Sequence, residues 1–196
     1  MAQLRRSSTT AALVIGILAM AHVHAAPRPI DVRRSTVTIF VSKSGLFSAL
    51  ADDHVIRAPI AGGTISDTPP LAIALRIQAG DLAVVDPNLD EKKKADVRSR
   101  MLGPEVLDAA EFPTIVFEST AIEPAGDNRW TVSGRVTIRG VTRDVRFPAV
   151  RETGRYRAST ILKQRDFGIQ PIRVAGGTVR VKDEIRLEFD IAAADS

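Results

Sequence analysis

The chain contains no cysteine. That alone excludes disulfides, thiol redox chemistry, cysteine-ligated metals and covalent haem attachment, so a folded domain must rest on apolar burial. Histidine is nearly as scarce. His22, His24 and His54 are the whole supply, too few for the clusters that hold catalytic zinc, and no His-Glu-x-x-His spacing occurs. No Gly-x-Ser-x-Gly turn presents a nucleophile to His54, and there is no Walker loop or dinucleotide glycine pattern. Asp166-Phe167-Gly168 matches a kinase tripeptide, but the lysine, Gly-rich loop and catalytic loop that give it meaning are missing. Aromatic residues make up only 5% of the chain, and no basic stretch is interleaved with them, so a nucleic-acid partner is not expected. Internal repeats and low-complexity tracts are also lacking. Apart from the N-terminus, no long apolar run suggests a membrane span.

The N-terminus has a pattern of its own. Arg5 and Arg6 precede an apolar run of about a dozen residues, Ala11 to Ala21, and Val23-His24-Ala25 offers a cleavage site before Ala26. This is the order of a secretory signal, and the run is too short to cross a bilayer. Ser8-Thr9 lack the apolar character expected after a twin-arginine pair, so ordinary export is expected. Residues 26–196 are then read as a single exported domain, long enough for a real core. The full chain carries 27 basic and 23 acidic residues. With Arg5 and Arg6 removed, the mature balance is close to neutral.

What remains is dominated by period-two alternation, the mark of strands with one buried face. Val37, Ile39 and Val41 alternate with Thr36, Thr38 and Ser42. Leu71, Ile73, Leu75 and Ile77 form a second such row, and Ile115, Phe117 and Ser119 a third. Trp130, Val132, Gly134, Val136 and Ile138 follow, then Val145 and Phe147, then Tyr156, Ala158, Thr160 and Leu162, and finally Ile185, Leu187, Phe189 and Ile191. With a segment from Ile56 to Ile65 the count is about eight. Antiparallel sheets wetted on one side have this pattern. A two-sheet sandwich and a closed barrel both satisfy it, and closure is favoured because it removes exposed edges. One helical interruption is expected between about Asp90 and Phe112: a charged surface helix from Glu91 to Leu102, stopped by Gly103-Pro104, then a second short helix from Glu105 to Ala110. Leu46 to Ala51 reads as a further helical turn, with Phe47 either capping a barrel mouth or plugging a loop.

An eight-stranded barrel is either filled by side chains or holds one small ligand. The small inward residues Gly134, Ser119, Ala158 and Thr160 leave axial space or merely mark taper; both readings stand on composition. Asp52-Asp53-His54 is the one polar cluster able to bind a cation or move a proton. Its plainer reading is a turn in which an Asp caps backbone N–H groups.

Three stretches resemble the YceI-like family of bacterial periplasmic lipid-binding proteins: Glu111 to Ser119 (EFPTIVFES), Val132 to Arg143 (VSGRVTIRGVTR) and Asp166 to Ile169 (DFGI). The likeness extends over most of residues 30–192, and the Gly134 to Thr142 core is its most specific part. The resemblance implies an extended eight-stranded antiparallel, lipocalin-like β-barrel and a polyisoprenoid or isoprenoid-quinone ligand. It also implies non-catalytic binding, with transport or storage of that apolar lipid in the periplasm, no cofactor and no metal. Of the inward rows, Val37, Ile39, Ile73, Leu75, Ile115, Phe117, Val132, Val136, Ile138, Val145, Phe147, Ala158, Leu162, Leu187 and Phe189 would line the site, with Phe47, His54 and Arg165 at a polar mouth. This chain departs from the family at Lys163-Gln164-Arg165, where an Asn-Arg pair is common, and at Asp52-Asp53-His54, where relatives carry a His-Asp-His or similar element. Both departures bear on the head group rather than the fold. A structural or stress-related interaction module with a filled barrel is the rival reading, and a homodimer is left open.

Overall fold

Eight of the alternating segments close into one antiparallel barrel in a computed structural model of the chain, which describes residues 26–44, 53–174 and 179–194. The barrel strands are β1 (Thr36–Ser44), β2 (His54–Ser66), β3 (Ala72–Gln78), β4 (Thr114–Pro124), β5 (Arg129–Ile138), β6 (Val141–Glu152), β7 (Arg155–Lys163) and β8 (Val179–Ile191). Each pairs with its neighbours in sequence, and β8 returns to β1 with Leu187 opposite Ile39. The result is an up-and-down barrel, which leaves no exposed edge to manage.

Local chemistry sets the turns. Between β5 and β6, Arg139 and Gly140 both have positive φ (49° and 71°), as do Thr153 and Gly154 (47° and 77°) between β6 and β7. Two consecutive left-handed residues make the tight hairpin turn whose twist matches the strands. Gly140 is doubly constrained, since a Cβ there would lie 2.7 Å from the Phe112 ring. The Ile-Arg-Gly-Val-Thr core of the most specific motif is therefore a hairpin turn packed on Phe112.

The link from β3 to β4 lies across one end of the barrel. After a 3₁₀ turn (Ala79–Asp81), the two-residue strand Ala83–Val84 extends the wall beside Arg57 and Ile56. Helix α1 (Glu91–Leu102) follows, capped by Asp90, whose Oδ1 accepts the Lys93 N–H at 2.8 Å. Arg98 ties this helix to the 3₁₀ turn by donating from Nε to the Leu82 carbonyl at 2.9 Å and from its guanidinium to Gly80. The second helix expected at Glu105 to Ala110 does not form. Residues 103–112 are successive turns, broken by Asp108 in the left-handed region at φ 47°. Gly103 stops α1, and the carbonyls of Gly103 and Asp108 each accept two N–H groups from turn residues. A regular i to i−4 ladder has no place there.

Asp166-Phe167-Gly168 is also structural. Phe167 is 3% exposed, and Gly168, at φ 73°, ends a 3₁₀ turn (Gln164–Phe167) by reversing the chain. Arg139 donates to the carbonyls of Pro104 (2.7 Å) and Gly168 (3.3 Å), locking the hairpin, the turn segment and the 3₁₀ turn together.

Candidate functional site

Within the barrel lies a chamber of about 570 Å³, in the size range of small-molecule sites. Its wall comes from the inward row of each barrel strand. Val37 and Ile39 (β1), Leu75 (β3), Ile115 and Phe117 (β4), Val136 and Ile138 (β5), Val145 and Phe147 (β6), Leu162 (β7), and Leu187 and Phe189 (β8) all border it. Ile73, Val132 and Ala158, expected on the same wall, instead border a separate space of about 80 Å³ toward the opposite end. The barrel is not filled by its side chains.

The aromatic contribution is larger than the composition suggests. Phe117, Phe147 and Phe189 meet across the interior, with ring centroids 5.7 Å apart in both the Phe117–Phe147 and the Phe147–Phe189 pairs. Gly134 does not leave axial space. A Cβ at that position would sit 2.6 Å from both the Phe117 ring and the Glu118 carbonyl oxygen, so its missing side chain is the volume the ring occupies. Ser119 is likewise spoken for, its hydroxyl accepting the Ile73 N–H at 2.9 Å. Thr160 does border the large chamber.

At the α1 end the wall turns polar. Lys43, His54, Lys93, Asp96, Arg100 and Gln164 border the chamber, and Lys93, Asp96 and Arg100 are also exposed, so the chamber reaches the surface among them. Lys93, Val97 and Met101 follow one another at i, i+4 spacing and put one face of α1 over the opening, with Met101 buried. His54 is held by an acid far away in sequence. Its Nδ1 lies 2.7 Å from Oδ2 of Asp86, a residue only 3% exposed, whose other oxygen accepts the Val55 N–H. An ionised Asp86 keeps the imidazole proton on Nδ1 and leaves Nε2 for a ligand: an acceptor when the ring is neutral, a donor when it is protonated.

His54 borders the chamber at its polar end, but Asp53 is not its partner. Asp53 accepts the Lys43 N–H at 2.9 Å and the Ser42 hydroxyl at 3.2 Å, capping the end of β1. Among the described residues no three His, Cys, Asp or Glu side chains converge as metal ligands would. Arg165 does not reach the mouth. It is exposed outside the chamber wall, and its backbone N–H donates to Asp183 at 3.0 Å. Phe47, Asp52 and the expected export segment lie outside the described residues.

The YceI-like domain model matches residues 30–193, nearly the whole barrel. The chain belongs to the YceI-like family. A UPF0312 protein of Azotobacter vinelandii is 37% identical over 98 residues, which are 45% of this chain and 48% of that protein; the match spans about half the length of that curated relative. Among solved structures, Burkholderia cenocepacia BcnA superposes with a TM-score of 0.60 at 18% identity, covering 84% of this chain and 99% of BcnA. The Campylobacter jejuni YceI protein superposes with a TM-score of 0.51 at 14% identity, covering 96% of this chain and 94% of that one. At such identities these likenesses speak for the fold. The fold is the YceI-like barrel, and its chamber is hydrophobic.

Sequence reasoning missed Asp86, Lys43, Asp96, Arg100 and the inner face of α1. The spacing of Lys93, Val97 and Met101 was a visible signal, muted by the charges around it. Nothing in the sequence pairs Asp86 with His54, because that contact depends on Ala83–Val84 lying beside β2.

Proposed function

We propose that this YceI-like barrel binds an apolar isoprenoid lipid without transforming it, sheltering the tail inside while the polar end sits beside α1. The observation that carries this reading is an apolar chamber of about 570 Å³ whose lining turns ionisable beside α1, at Lys93, Asp96 and Arg100. At ~30 Å³ per water- or methylene-sized group, such a volume takes on the order of twenty groups, or about four isoprene units. Burying twenty of them yields roughly 16 kcal/mol at ~0.8 kcal/mol each, against a cost of association of roughly 4–15 kcal/mol. Net binding is favourable, and a longer tail gains nothing more unless it finds further cover. A prenol or a quinone fits these terms, and His54 suits either a hydroxyl or a carbonyl according to its protonation.

Export through cleavage after Ala25 would place the barrel in the periplasm, where water-insoluble lipids need a carrier or store. No helix among the described residues is long and apolar enough to cross a membrane. The deciding experiment is native mass spectrometry of protein purified from its own host, followed by uptake of added prenol and isoprenoid quinone. A lipid adduct or saturable uptake is expected. Protein that carries no adduct and takes up neither lipid would refute the proposal.

A further inference from the structure

We infer that Phe117, Phe147 and Phe189 form a partition that sets the length of tail the chamber accepts; this rests on the lipid-binding reading above. Beyond the 570 Å³ chamber lies the second apolar space of about 80 Å³, and the same three rings, with Leu75, border both. The rings come from alternate strands β4, β6 and β8 and hold one another. Phe147 stacks on Phe189 with 7° between the planes, and Phe117 leans on Phe147 at 46°. Gly134 gives the Phe117 ring its only room on the β5 side, where a Cβ would collide with it. The far space is apolar, and at its rim the Tyr156 hydroxyl donates to Asp67 at 3.2 Å while Arg28 pairs with the same carboxylate at 2.6 Å. An alkyl chain would occupy that space and water would gain little there. A tail entering beside α1 meets the rings before it reaches that room. The barrel thus contains more apolar space than one tail can use.

The test offers a graded series of prenols to the wild-type protein and to Phe147→Ala, read by native mass spectrometry. Wild type should prefer about four isoprene units, while the variant, gaining the 80 Å³ space and the vacated ring, should prefer about one unit more. Trp130, the single tryptophan, borders the far space. Its emission should respond to long prenols in the variant and not in wild type. Ala158 borders only the far space, so Ala158→Leu should leave the wild-type length preference unchanged and reverse the gain in Phe147→Ala. Should the Ala variant not fold, Phe147→Leu should lengthen the preference by a smaller step. An unchanged length profile in whichever Phe147 variant folds and binds, or a shortened preference in Ala158→Leu alone, would overturn the partition. Failure of wild type to bind any prenol or quinone would instead sink the lipid-binding reading itself.

Discussion

Replacing Gly134 with alanine adds a single methyl group to a wall that has no room for it. The new Cβ would lie 2.6 Å from the Glu118 carbonyl oxygen on β4 and 2.6 Å from two atoms of the Phe117 ring. The ring can swing, but the carbonyl belongs to a strand that pairs with β5 through the neighbouring Ser119–Gly134 and Glu118–Arg135 positions. Either β4 and β5 separate locally or the ring leaves its stack. Overpacking of this kind costs about 1–3 kcal/mol, which for a domain of this size lowers the melting temperature by about 2–12 °C. Urea and thermal melts followed by circular dichroism would measure it. Gly80→Ala is the matched control, since a Cβ there meets nothing within 4 Å; it should be neutral or stabilise by up to about 1 kcal/mol. The double variant Phe117→Ala/Gly134→Ala should lose less than the sum of the single losses, because the truncated ring no longer meets the methyl. The carbonyl contact persists, so relief stays partial. Gly134→Ala as stable as wild type, or strict additivity in the double variant, would refute this account of the glycine.

Three further outcomes follow from contacts elsewhere. Asp86→Ala leaves the half-buried Val55 N–H and the His54 ring without their acceptor and should cost about 1–3 kcal/mol; Asp86→Asn, which keeps an acceptor, should cost less, and equal stability of both with wild type in urea melts would contradict the pairing. Tyr156 is the sole tyrosine, so its ionisation can be followed alone by absorbance; burial first, and then the negative charge of Asp67, hold its hydroxyl above the usual 10.0. A group with a raised folded-state value stabilises fully below its unfolded value and loses that contribution as pH climbs through the folded one, so wild type should lose stability relative to Tyr156→Phe above pH 10, and a Tyr156 midpoint at or below 10.0 would sink the argument. Leu187→Asp puts a carboxylate on the chamber wall; lipid uptake should fall at least tenfold, a loss of about 1.4 kcal/mol or more, with undiminished uptake by the folded variant showing that the tail does not touch β8.

Which face of each strand turns inward was legible from alternation alone, because a period of two admits only two answers and the polar residues choose between them. Val136 and Ile138 point in because Arg135 and Arg139 cannot. Alternation failed only where the register slips. Between Ser119 and Ala121 the β4–β5 pairing skips a residue, so Ile122, out of phase with Phe117, still faces the far space. Levels along the axis were not legible. Phe117, Phe147 and Phe189 each read as an ordinary core residue, and whether they share a level depends on the tilt and stagger of eight strands, quantities that no single segment encodes. The same limit hid Asp86 from His54.

Those levels also explain why an aromatic-poor chain can keep a hollow centre. A barrel wall made mostly of Val, Ile, Leu and Ala presents short side chains that do not meet across the axis, so the interior stays open wherever such residues form a level. Large rings are needed only where the space must end. Phe117, Phe147 and Phe189 supply that end on one side, while α1, with Met101 and Val97, covers the other without sealing its charged rim. Spreading the same rings among different levels would narrow the axis throughout and leave small voids in place of one chamber. On this argument the placement of the phenylalanines governs capacity more than their number does. Moving one ring by a double exchange, Phe147→Val with Val145→Phe, which keeps composition and strand face, should therefore shorten the accepted tail while leaving the fold intact, whereas an unaltered length preference would show that the level of the rings does not matter.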